Sequence, residues 1–254
     1  MQNVAAENVE AQSWADKNYF LIRRLHSLSG LVPVGVFVCF HLLANSTVLL
    51  APNGSEFQKA VSRIHDLPAL PIIEIVGIFL PLAFHALVGV WIWLWGSRPN
   101  TMQYPYGPNV RYTAQRFSGG VAFVFILYHV YQLHWLGGPL GGGSFRFEHD
   151  PASTAAAVTT ANAIRSAWWI APFYALGITA VVFHLANGIW TSLITWGITI
   201  RPASQRGAGY ACTAFGIVLG LIGMSALFGF RTFDAEAAVK GSAPAHAAAA
   251  PHGG

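Results

Sequence analysis

The chain has 254 residues, of which 54% are hydrophobic and only 9% charged, with a formal net charge of +4. Soluble domains carry about 25% charged residues, so this composition excludes a water-facing globular surface and makes the chain an integral membrane protein. Its two cysteines, Cys39 and Cys212, both sit in apolar runs, and no CxxCH occurs, so any haem would be held without thioether bonds.

Residues 1–18 are polar and acidic, with Glu7, Glu10 and Asp16, and lack the basic-then-apolar order of a secretory signal. Five apolar stretches follow, near residues 28–50, 72–95, 117–136, 168–198 and 210–230. Each has roughly the 20 residues that a membrane-crossing helix needs. Turn-rich segments separate them: APNGSE, GSRPNTMQYPYGPN, GGPLGGGS and RPASQRGAG. Runs this long are not barrel strands, so the expected fold is all-α, five transmembrane helices in a bundle spanning 19–230. The segment ASTAAAVTTANAIRSA before the fourth span is left open as a short surface helix, and residues 231–254 read as a low-complexity mobile tail.

With the N-terminus in the cytoplasm, Lys17, Arg23, Arg24, Arg98, Arg111, Arg116, Arg201 and Arg206 fall inside. Lys59, Arg63, Arg146, Arg165, Arg231 and Lys240 then fall outside, together with most of the acids. The lysine and arginine bias favours that orientation.

Of ten histidines, four lie at middle depth in the spans, one in each of the first four: His41, His85, His129 and His184. Ionisable side chains at such depth face the bundle interior. A single one reads most simply as a neutral core histidine bonded to a carbonyl. Four imidazoles unaccompanied by carboxylate or thiolate ligands suit the iron of two bis-histidine haems. Two local likenesses accompany them. His85 with Gly89 in HALVG matches His184 with Gly188 in HLANG, and each glycine lies one turn beyond its histidine on the same face. Likewise RLHSLSG precedes His41, and RFSGG precedes His129. These likenesses pair His41 with His129 and His85 with His184. The spacing to the nearest arginines, seventeen residues for His41 and His184 but thirteen for His129 and His85, pairs them the other way.

The segments RRLHSLSGLVPVGVFVCFHLLAN, FLPLAFHALVG, QRFSGG…YHV, FHLANGIW and TWGITIRPASQR, in this order, resemble the di-haem cytochrome b subunit of succinate dehydrogenase and fumarate reductase. The resemblance covers about residues 19–229. It implies a membrane anchor that passes electrons between an iron–sulfur subunit and a membrane quinone, menaquinone in the usual di-haem type. It implies that His85 and His184 hold the proximal haem b and His41 and His129 the distal one. It assigns His26 and Ser27 to the propionates of the proximal haem; Arg24 and Arg116 are added as further candidates. Asp66 becomes the candidate proton group of a distal quinone site, beside His65 and Glu74, with His134 interfacial. A glutamate that some fumarate reductases carry two residues before the fourth-helix histidine is Val182 here, so a proton route through it is not supported. The implied partners are a flavoprotein with covalent FAD, an iron–sulfur protein, membrane lipid and quinone. Nucleic acid is not among them, and a homo-oligomer of the complex is compatible. The implied location is the bacterial cytoplasmic membrane. The direction of the succinate–fumarate reaction is not readable. Rival readings are the cytochrome b quinone subunit of another respiratory dehydrogenase and a haem-free transporter whose histidines line a proton path.

Overall fold

Hydrocarbon offers no hydrogen bonds, so each apolar run must satisfy its own backbone, and each does so as helix. The computed structural model describes residues 17–95, 107–150 and 152–242. Helix α1 (Tyr19–Leu49) is followed by α2 (Ser55–His65) and α3 (Leu70–Trp95). Then come α4 (Gly107–Leu133), α5 (Ala155–Arg165), α6 (Ile170–Thr195), α7 (Pro202–Thr232) and α8 (Ala235–Ser242). No strand occurs among the described residues. The N-terminal acids Glu7, Glu10 and Asp16, most of the second inter-span loop with Arg98, and residues 243–254 lie outside them.

Among the described residues, four helices, α1, α3, α6 and α7, are long and apolar enough to cross a membrane. The expected third span falls on α4, whose 27 residues would reach about 40 Å. Arg111, Gln115, Arg116, His129 and Gln132 dilute its apolar character, which is why length and composition together single out four helices. Helix α6 is central, packed against α4 and α7, while α7 also lies along the second half of α1. Helix α3 leans mainly on the first half of α1 and has no buried residue, so its apolar surface is nearly all outward. Among the described residues, α1 and α3 widen away from α geometry. Residues Gly30–Gly35 of α1 and Ile73–Phe79 of α3 are π-helical.

One end of the bundle carries a cap built from α2, α5, α8 and the 3-10 turn Trp135–Leu140. The segment left open in the sequence is α5, and it is an interior helix. Its Ala156, Ala157 and Ala161 are 0% exposed, packed among Phe57, Val61, Phe230 and Phe233. Alanine is used there because neighbouring helices approach too closely for anything larger. Gly54 shows the same limit, since a Cβ added to it would meet the Ala157 Cβ at 2.7 Å, and its φ of +74° already favours glycine. The stretch expected as a tail includes α8, whose Ala238 is buried in this core, and the Arg165 guanidinium donates to the Phe233 carbonyl.

Candidate functional site: two histidine pairs

The four mid-span histidines come from α1, α3, α4 and α6, and the fold brings them together two by two. The His85 and His184 rings lie 6.0 Å apart, centroid to centroid, at 86°. Those of His41 and His129 lie 5.6 Å apart at 82°. This is the pairing drawn from the internal likenesses, not the one drawn from the spacing to arginine. The arginine ruler fails because basic side chains at span ends sit at variable depth.

Helices α1 and α3 repeat, contact for contact, what α4 and α6 do around the first pair. His85 Nδ1 lies 2.9 Å from the carbonyl of His26, and His184 Nδ1 lies 3.1 Å from the carbonyl of Gln115. Four residues after each of these acceptors comes a glycine, Gly30 or Gly119, against which the imidazole lies. A Cβ at Gly119 would meet His184 Cε1 at 2.8 Å, and one at Gly30 would overlap the His85 ring more severely. Glycines four residues after each histidine complete the unit. Gly89 faces His26 Cε1, and Gly188 faces the Gln115 amide, at 3.3 and 3.4 Å from a would-be Cβ. The SG pairs noted before His41 and His129 thus seat the histidines of the other pair, a role sequence alone did not disclose.

A carbonyl can only accept, so the Nδ1 atoms of His85 and His184 carry protons and their Nε2 atoms keep a free lone pair. Metal-ligating histidines are held this way by their second nitrogen. Around His184 the holding is reinforced: Gln115 Nε2 donates to the His184 carbonyl at 3.0 Å, and Asn187 Nδ2 donates to Gln115 Oε1 at 2.8 Å. In the second pair, His129 Nδ1 lies 3.3 Å from the Tyr174 hydroxyl. His41 is flanked by Phe37, and its carbonyl accepts from Asn45 Nδ2. No group of three or more His, Cys, Asp or Glu suited to a metal occurs among the described residues. A donor set of two opposed imidazoles fits an iron whose other ligands come from a porphyrin.

Near the first pair, the His26 ring stacks on that of His85 at 4.0 Å and 9°. His26 Nδ1 and Arg24 Nε are buried without a hydrogen-bond partner, which fits groups that await a carboxylate acceptor. The Arg24 guanidinium also covers the Phe20 and Trp196 rings. Ser27 Oγ shares a 2.6 Å hydrogen bond with Ser192 Oγ. Arg116 is engaged elsewhere: it donates to the Trp93 carbonyl at the end of α3 and reaches the Tyr112 hydroxyl.

At the capped end the three residues grouped by sequence separate. Asp66 is 68% exposed, 3.9 Å from His149 Nδ1, in a polar cleft with Gln58, Ser62 and Arg63. His65 stacks on Phe147 at 3.9 Å. Glu74 is instead half-buried in α3, with His134 Nε2 at 3.6 Å and the Trp135 indole N–H donating at 3.3 Å. Sequence separation hid this pair, although an acid inside a span was its signal.

No family model matches the sequence. The chain is 34% identical over 212 residues to the succinate dehydrogenase cytochrome b558 subunit of Bacillus subtilis, an alignment covering 83% of this chain and 96% of that protein. Identity at this level, over nearly the whole length of the relative and on a bundle of long apolar helices, shows that the chain belongs to the family of succinate dehydrogenase cytochrome b subunits.

Proposed function

We propose that the chain anchors a succinate dehydrogenase or fumarate reductase complex in the cytoplasmic membrane and carries electrons between its iron–sulfur subunit and a membrane quinone, with menaquinone the expected species. The observation that carries this reading is the pair of opposed imidazole couples, with the Nδ1 atoms of His85, His184 and His129 all engaged so that Nε2 is left for a metal. His85 with His184 would hold the proximal haem b, and His41 with His129 the distal one. Haem b supplies one-electron iron chemistry when so held. The protein's residues hold the imidazoles in the tautomer that can ligate, exclude water with apolar helix surface, and offer Arg24, His26 and Ser27 to the propionates. Arg116 is a weaker candidate for that role, since it already serves α3 carbonyls.

In this reading the N-terminus and the α6–α7 turn face the cytoplasm, where the flavoprotein and iron–sulfur partners would dock. The cap of α2, α5 and α8 faces outward, where Asp66, in contact with water, would exchange quinone protons with the medium. Helix α4 is taken as the third of five spans. The test is a reduced-minus-oxidised spectrum of the purified protein with haem quantified per chain. Two b-type haems per chain are expected; a colourless preparation overturns the reading.

A further inference from the structure

The second histidine pair is held by a device the first lacks, a chain of side-chain hydrogen bonds crossing three helices. Gln132 Nε2 on α4 donates to the Ala163 carbonyl of α5 at 3.0 Å. That contact orients the amide, because the nitrogen must face the carbonyl and Oε1 must therefore face the other way. Gln132 Oε1 lies 2.7 Å from the Tyr174 hydroxyl on α6 and can only accept, so the tyrosine donates its single proton there. The tyrosine oxygen is left as an acceptor toward His129 Nδ1 at 3.3 Å. His129 must then carry its proton on Nδ1, and its Nε2 is unprotonated. Tyr174 and Gln132 are both buried, and Phe125 packs edge-on against the Tyr174 ring, so water does not substitute for either contact.

We propose that Tyr174 and Gln132 are positioning residues that set the tautomer and the electron-donating strength of the His129 imidazole, and through it the reduction potential of the distal haem. The proposal rests on the bis-histidine reading. A hydrogen bond accepted from Nδ1–H gives imidazole partial imidazolate character, which favours ferric over ferrous iron. Removing the acceptor therefore raises the potential. Removing Gln132 acts differently. Without Oε1, the Tyr174 hydroxyl is free to turn its proton toward His129 Nδ1. That favours the tautomer protonated on Nε2 and so weakens the hold on iron.

The test is a redox titration of the full chain, followed by its optical spectrum, with haem counted per chain. The distal haem is the one that disappears in His129→Ala. Tyr174→Phe is expected to keep two haems, shift the distal midpoint upward and leave the proximal one in place. Gln132→Leu is expected to lower distal occupancy selectively. An unmoved or lowered distal midpoint in Tyr174→Phe overturns the proposal, as does an equal shift of both haems, which would mark a merely structural effect. Should Gln132→Leu fail to assemble, Tyr174→Phe alone decides. A wild-type chain without haem would sink the underlying reading instead, so the two failures are distinguishable.

Discussion

The two histidine pairs come from different helices, α3 with α6 and α1 with α4, and are secured in different ways. At the His85–His184 pair both acceptors are backbone carbonyls, of His26 and Gln115, and both imidazoles lie against glycines. Backbone acceptors on helices cannot be replaced by mutation, so at this centre side-chain change acts through the glycines and through the Gln115–Asn187 brace on His184. At the His41–His129 pair the acceptor is a side chain, Tyr174, itself held by Gln132 and by α5 of the cap. That centre depends on residues far along the sequence and on an intact cap. The difference teaches where each centre can be tuned.

The sharpest break would come from the ligands. His85→Ala should leave one b haem of two, and His129→Ala should leave the other, each read as haem per chain; loss of both from either variant would mean that the two centres are not separable. Next in size, Gly119→Val forces a side chain against the His184 ring, where even a Cβ would come within 2.8 Å. It should abolish the proximal signal while sparing the distal one. Ala157→Leu overpacks the cap and should cost about 1–3 kcal/mol, seen as a lowered thermal midpoint. Its spectral effect should fall on the distal haem, and an effect confined to the proximal haem would contradict the link through α5. Smallest, Asp66→Asn should change stability by less than about 0.5 kcal/mol while slowing quinone turnover. If Glu74→Gln slows turnover and Asp66→Asn does not, the proton group is the half-buried acid paired with His134.

The long apolar runs made the helical membrane fold legible, because a 20-residue apolar stretch has few other outcomes. The pairing was legible through HALVG against HLANG and through the two SG pairs. What those glycines touch was not, since Gly30 meets His85 across 55 residues of sequence and only packing reveals it. Tyr174 and Gln132 escaped notice for a related reason. A tyrosine and a glutamine near span ends read as interfacial anchors until a third group orients them. The alanines of α5 left its place undecided because alanine is compatible with both exposure and closest packing.

The π-helical stretch Gly30–Gly35 has a consequence for how the two halves correspond. From Gln115 to His129 there are fourteen residues, whereas from His26 to His41 there are fifteen. One extra residue in an ordinary helix would turn His41 by about 100° away from its partner. A widened turn absorbs a single insertion without passing the rotation on, and Pro33, which has no N–H to give, lies inside it. The bulge therefore works as a register correction: α1 carries one residue more than α4, and His41 still meets His129.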